Sequence, residues 1–122
     1  MLTFNGKLGI EDFYKIIIEN KTIQIDDSVI KTVEDSFNFL NKFSENKVIY
    51  GVNTGFGPMA QYKIKDSERI ELQYNLIRSH ASGTGNPIAP MYVKAAMLAR
   101  LNTLSLGHSG VHKSVIDLMT QL

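Results

Sequence analysis

Several kinds of chemistry are excluded by what this 122-residue chain lacks. It has no cysteine, so disulfides, thiol nucleophiles and cysteine-ligated metal sites are all excluded. No segment approaches the roughly 18 consecutive apolar residues of a membrane span, and the first residues do not resemble a secretory signal. The 13 Lys and Arg nearly balance the 12 Asp and Glu, so no basic surface for nucleic acid or an anionic membrane is predicted. We therefore expect a cytoplasmic protein with no nucleic-acid or membrane partner.

The apolar residues that the chain does contain follow helical spacing along most of its length. Residues 2–4 and 22–25 are predicted to be short strands, and helices are predicted to begin near residues 10, 26, 66, 87 and 109. The second of these helices has Asp26 or Asp27 as its capping residue. The last helical pattern is still running at Leu122. We expect a mainly α fold with short β segments, forming one domain over residues 1–122 that is the N-terminal portion of a longer chain.

A loop with three glycines follows the apolar run at residues 48–50, which looks extended. Glycine is costly to order and is placed where the backbone needs a positive φ or a close approach, so this loop is the first candidate for function. Its G-x-G-x-x-A pattern at residues 55–60 also fits a dinucleotide-binding turn. That alternative is not favoured, because the residues that follow lack the apolar stripe of a crossover helix. Tyr50 at the start of the loop and His80 at the end of a helix are the polar residues that stand out.

Two further patterns suggest chemistry less specifically. His108 and His112 are four residues apart, as metal ligands on one helix face are, but no third ligand is evident and we assign no metal. Ala81, Ser82 and Gly83 form a tripeptide that can cyclise to methylidene-imidazolone, an electrophilic prosthetic group. By itself the tripeptide is equally typical of a helix end where small residues allow close packing.

Three blocks in order give the chain a family resemblance: Y-G-V-N-T-G-F-G at residues 50–57, L-Q-Y-N-L-I-R-S-H-A-S-G-T-G at 72–85, and R-L-N-T-L-S-L-G-H-S-G-V at 100–111. Together they resemble the N-terminal region of the aromatic amino-acid ammonia-lyases and related aminomutases. The resemblance covers essentially the whole chain. It implies an all-helical enzyme of the fumarase and aspartase type, assembled as a homotetramer with an aromatic amino acid as its substrate.

The resemblance also implies roles for particular residues. Tyr50 corresponds to the catalytic base that removes the β-proton, and Ser79 and His80 correspond to the pair that lies against the substrate side chain in histidine lyases. Phenylalanine lyases typically have Phe-Leu at that pair, so a polar ring is implied and histidine, giving urocanate, is favoured. Tyrosine lyases, giving p-coumarate, and tyrosine aminomutases remain open. The surrounding loop resembles a flexible inner lid, with candidate residues Gly51, Asn53, Thr54, Gly55, Phe56 and Gly57.

This chain departs from the family pattern in the segment that forms the electrophile. In the family, methylidene-imidazolone forms from an Ala-Ser-Gly that lies beyond the position matching Leu122. Ala81, Ser82 and Gly83 occupy a segment where relatives carry variants such as Ala-Ala-Gly, so we reject them as its source. We therefore expect the full-length protein to be an ammonia-lyase and the 122-residue chain alone to be inactive. The alternative from another class is a non-catalytic helical assembly module.

Overall fold

The computed structural model describes residues 1–122, apart from the side chain of Asp66. Helices and one small sheet make up its regular structure, which confirms the mainly α class. The elements of the described chain are β1 (Leu2–Phe4), α1 (Ile10–Ile17), β2 (Ile23–Ile25), α2 (Asp27–Ser44), α3 (Arg69–His80), α4 (Pro90–Leu104) and α5 (Lys113–Gln121). Short 3-10 turns lie at Gly57–Met59 and Asp66–Glu68.

Two compact units divide the chain. The first, which we call the helical unit, contains residues 1–40 and 87–122, and the second, the loop unit, contains residues 41–86. The prediction that all 122 residues form one N-terminal domain stays a prediction. Among the described residues, none of the helices combines the length and apolarity that crossing a lipid bilayer requires.

The sheet of the helical unit pairs its two strands in parallel, with Leu2 opposite Ile23 and Phe4 opposite Ile25. Parallel neighbours cannot be joined by a tight turn, so a crossover is needed, and α1 supplies it. Phe4 is fully buried while the alternate residue Thr3 faces solvent, as a period of two requires. Both strands predicted from the sequence are confirmed.

The core of the helical unit is formed where α1, α2, α4 and α5 turn their apolar residues inward. Its buried members are Phe4, Leu8, Ile16, Val29, Val33, Leu98, Leu101 and Ile116. Asn102 on α4 adds a long-range hydrogen bond, in which its Oδ1 accepts from the Leu8 amide at 3.0 Å. That bond links the segment after β1 to a helix far along the chain.

The start of α2 is capped by Asp26, which decides between the two candidates from the sequence. Its Oδ1 accepts hydrogen bonds from the Ser28 hydroxyl and from the Ser28 amide, the latter at 2.9 Å. These bonds favour the carboxylate and hold the pKa of Asp26 below its usual value. The cap is therefore fully formed above the ordinary pKa of aspartate and is lost only as the pH falls through the lowered value.

The connection between α4 and α5 lies tightly against α2. Gly107 and Gly110 both have positive φ, 71° and 61°. A Cβ on Gly107 would lie 2.5 Å from Thr32 Cγ2 and 3.0 Å from Thr32 O, and one on Gly110 would lie 2.4 Å from Leu40 Cδ2. The Gly110 amide also donates to Ser36 Oγ at 3.2 Å. The third sequence block thus packs one connection against a neighbouring helix.

The last helix begins later than the sequence predicted. The expected start near residue 109 is wrong, because α5 begins at Lys113. His112 is its N-cap, and its Nδ1 accepts the Ser114 amide hydrogen at 3.2 Å. The earlier residues are held in the connection by the contact of Gly110 with α2.

We expect Gly107→Ala to destabilise the protein by about 1–3 kcal/mol, because alanine at a positive φ is strained and its Cβ would also collide with Thr32. Chemical denaturation would measure the change. Gly83→Ala is the matched control, since no atom lies within 4 Å of its added Cβ and its φ is not positive. Equal stability of the two variants would contradict this view of the connection.

Candidate functional site

Tyr50 lies in a turn at the beginning of the glycine loop. The Ile49 carbonyl accepts hydrogen bonds from the Val52 amide at 3.1 Å and the Asn53 amide at 3.2 Å, which closes the turn around Tyr50. The extended run predicted over residues 48–50 forms no strand, and its last residue, Tyr50, lies in the turn. Backbone bonding to residues further along the loop competes successfully with an extended conformation.

The Tyr50 side chain is mostly exposed to solvent. It is 64% exposed. Its ring meets the Phe56 ring edge to face, with centroids 6.0 Å apart. Among the described residues, the Tyr50 hydroxyl has no hydrogen-bond partner. This oxygen is thus accessible to another molecule.

Asn53 and Thr54 are buried, unlike the aromatic residues on either side of them in sequence. Asn53 is 2% exposed and Thr54 is 0% exposed. The sequence indicated that they belong to the loop but did not show that they form its interior. The available signal was an Asn-Thr pair between glycines, because such side chains hydrogen-bond nearby backbone groups in turns.

The loop closes on the residues that follow it. The Gly55 amide donates to Tyr62 O at 3.2 Å, and the Ile64 amide donates to Asn53 O at 2.9 Å. Gly55 must be glycine, because an added Cβ would lie 2.7 Å from Met59 Cβ and 2.8 Å from Met59 O. The pattern at residues 55–60 that fits a dinucleotide-binding turn lies in a closed loop that contains the 3-10 turn at Gly57–Met59.

A positively charged side chain that the sequence analysis did not single out also supports the loop. Arg69, the first residue of α3, donates from Nη2 to Val52 O at 3.4 Å. Near it, a polar cavity of about 290 Å³ is lined by Asn41, Ser44, Glu45, Asn53, Lys63 and Arg69. All six lining residues belong to the loop unit.

Ser79 and His80 stand together at the C-terminal end of α3. His80 Nδ1 lies 2.9 Å from the Leu76 carbonyl oxygen and 3.0 Å from Ser79 Oγ. Ser79 Oγ itself donates to Leu76 O at 2.9 Å. A carbonyl oxygen only accepts, so the contact with Leu76 O is a hydrogen bond in the tautomer that carries its hydrogen on Nδ1; in that neutral tautomer Nε2 is the acceptor.

The two predicted functional residues occupy the same unit but do not touch. Among the described residues, Tyr50 and His80 share no hydrogen bond or ring contact, and both side chains are exposed. Tyr50 offers an oxygen without a partner, and His80 offers Nε2. The roles assigned to these two residues stay predictions.

Ala81, Ser82 and Gly83 do not fit the formation of methylidene-imidazolone. Cyclisation requires the Gly83 nitrogen to be pressed against the Ala81 carbonyl carbon. The three residues are instead exposed and irregular after α3, and a Cβ on Gly83 would meet nothing within 4 Å. The rejection of this tripeptide as the source of the electrophile stays a prediction.

His108 and His112, at and just after the end of the third block, form no metal-binding group among the described residues. His112 Nδ1 is engaged by the Ser114 amide, and its ring lies edge-on to Phe37 with centroids 5.0 Å apart. In the part of the chain that the structure describes, no three His, Asp or Glu side chains are grouped closely enough to hold a metal ion.

Comparison with known proteins gives a consistent result over nearly the whole chain. Residues 8–122 match the family model described as aromatic amino acid lyase. The "Probable histidine ammonia-lyase" of Thermoplasma acidophilum is 40% identical over 124 residues, which cover 100% of this chain and 25% of that protein. The histidine ammonia-lyase of Streptococcus pyogenes serotype M3 is 41% identical, covering 94% of this chain and 23% of that protein.

A solved structure shares the fold. The crystal structure of tyrosine aminomutase from Streptomyces globisporus superposes with a TM-score of 0.89 at 34% identity, covering 98% of this chain and 23% of that one. The chain therefore spans about a quarter of the length of the relatives that it matches.

Proposed function

Because this chain belongs to the aromatic amino acid lyase family, we propose that it is the N-terminal part of an ammonia-lyase acting on a polar aromatic amino acid, with histidine as substrate and urocanate as product. The observation that carries the proposal is the arrangement at His80, where Nδ1 is engaged by the end of α3 and Nε2 is left to meet a ligand. The cytoplasm is the proposed location.

The reaction requires groups of the kind that the loop unit offers. The β-proton of an amino acid is hardly acidic and the amine is a poor leaving group, so elimination needs both an electrophile and a base. Tyr50 is proposed as the base, its oxygen taking the β-proton as the carbon–carbon double bond forms and the amine departs. A methylidene-imidazolone group, formed by a tripeptide outside these residues, would supply the electrophile that assists departure of the amine.

His80 is proposed to select the ring of the substrate. With hydrogen on Nδ1, its Nε2 accepts a hydrogen bond from the N–H of an imidazole or the O–H of a phenol. A plain phenyl ring has no such donor and would leave Nε2 unpaired. Histidine is placed first because the curated relatives are named for it. Tyrosine, as substrate of a lyase or an aminomutase, is the second candidate because a tyrosine aminomutase shares the fold.

Assembly into a homotetramer is also proposed, and the surface of the helical unit supports it. Large apolar side chains are exposed on α4, α5 and the segments beside them. They are Ile88, Met91, Tyr92, Val93, Leu106, Val115, Leu118 and Leu122. Further protein covering these side chains would remove their apolar surface from water.

An assay of the full-length protein with L-histidine and L-tyrosine tests the proposed activity. We expect urocanate from histidine at a higher kcat/KM than coumarate from tyrosine, and no product from the 122-residue chain alone. A β-amino acid product would identify an aminomutase. If a correctly assembled full-length protein released neither product, the proposal would be wrong and the non-catalytic assembly module would be favoured.

Tyr50→Phe in the full-length protein should lower kcat by about 100- to 10,000-fold, the usual contribution of a general base. The change removes one oxygen that has no partner among the described residues, so the fold should persist. Tyr14→Phe is the control, because it removes the same atom from another exposed tyrosine. Near-normal turnover by the Tyr50 variant would refute the assignment of the base.

His80→Leu should change which ring is accepted more than how fast the reaction proceeds. The substitution replaces a hydrogen-bond acceptor by an apolar wall, so kcat/KM should fall for histidine and tyrosine and rise for phenylalanine. His108→Leu makes the same change at an exposed histidine elsewhere and should leave the order of substrates unaltered. An unchanged substrate order in the His80 variant would argue against its contact with the ring.

A further inference from the structure

The backbone amides on both sides of Tyr50 are bound by buried side chains. The Ile49 amide donates to Asn53 Oδ1 at 2.8 Å, and the Gly51 amide donates to Thr54 Oγ1 at 3.3 Å. Two side chains from later in the loop therefore hold the residues before and after Tyr50. This pairing is independent of any contact made by the tyrosine itself.

The Asn53 side chain is itself fixed at its other end. Its Nδ2 donates to Lys47 O at 2.7 Å and to Ser44 O at 3.2 Å, so both amide hydrogens are used while Oδ1 binds the Ile49 amide. Ser44 is the last residue of α2. The carboxamide thus connects the end of a helix to the turn that carries Tyr50.

Thr54 has an equally defined orientation. Its hydroxyl donates to Gly55 O at 2.9 Å, which fixes the hydrogen and leaves a lone pair for the Gly51 amide. Gly51 has φ +76°, a conformation that L side chains rarely adopt, so the chain direction changes just after Tyr50. The hydroxyl of Thr54 holds that change of direction in place.

We propose that Asn53 and Thr54 are positioning residues that set the location of the Tyr50 hydroxyl through the backbone on either side of it. The inference rests on the proposed function, since it takes Tyr50 as the base. The Tyr50 side chain is exposed, its hydroxyl has no partner among the described residues, and its ring contact is with Phe56 of the same loop, so the backbone beside Tyr50 sets where the hydroxyl lies. The residues from 49 to 54 then form a fixed part of a loop that otherwise resembles a flexible lid.

Thr54→Val and Thr54→Ser in the full-length protein form the test. Valine keeps the shape and removes the hydroxyl, whereas serine keeps the hydroxyl. We expect Thr54→Val to lower kcat by about 10- to 100-fold with little change in KM, because a misplacement of about 1 Å costs on the order of 100-fold in rate. Thr54→Ser, which keeps the hydroxyl, should retain most of the unsubstituted protein's kcat.

A double-mutant cycle separates positioning of Tyr50 from a general structural defect. In the Tyr50→Phe background there is no hydroxyl to place, so adding Thr54→Val should cause little further loss. Full additivity of the two losses in kcat would overturn the proposal. So would a Thr54→Val single variant with unchanged kcat, if the Tyr50→Phe single variant has a lowered kcat. If Tyr50→Phe is itself harmless, the proposed base is wrong, and the positioning role is overturned with it.

If Thr54→Val does not fold, hydrogen exchange of the unsubstituted full-length protein tests whether the backbone beside Tyr50 is held. The Ile49 and Gly51 amides should exchange at least about 10-fold more slowly than the amide of Gly83, which lies in an exposed irregular segment. Exchange of both amides as fast as that of Gly83 would show that the backbone beside Tyr50 is not held, and would overturn the proposal.

Discussion

The buried carboxamide of Asn53 is the contact on which the loop unit depends. It satisfies two backbone carbonyls and one backbone amide within a segment that has little apolar core of its own. Each such hydrogen bond contributes only about 1 kcal/mol net, but leaving a buried partner unpaired costs about 1–3 kcal/mol. The three bonds therefore work mainly by making other loop conformations unfavourable. A loop with several glycines acquires a defined shape because its alternatives would leave these groups without partners.

Helix positions could be predicted from the sequence because each helix of the helical unit faces a single core. The apolar spacing of α2 and the Asp26 or Asp27 cap are local signals, and the structure confirms both. The start of α5 could not be predicted in the same way. It depends on Gly110 lying against Leu40, a contact between residues far apart in sequence. Local pattern gives the period of a helix, whereas packing of this kind decides where the helix begins.

The candidate site shows the same division between local and distant information. Resemblance to a family points to Tyr50, Ser79 and His80 by motif, and the structure adds what motif cannot give. The contact of His80 Nδ1 with the carbonyl of Leu76, one helical turn earlier, is an example. The apolar residues 48–50 predict an extended run but not the turn at Tyr50, because the buried side chains that hold the chain there follow it in sequence.

The helical unit is discontinuous in sequence, and this has a consequence for synthesis. Its first part, residues 1–40, supplies Phe4, Val29 and Val33 to the core, while Leu101 and Ile116 belong to its second part, residues 87–122. On a ribosome the first part emerges and must wait while the whole loop unit is made. Throughout that interval the apolar faces of β1 and α2 have no partner from α4 or α5. During this interval the nascent chain is most prone to aggregation and to binding by chaperones.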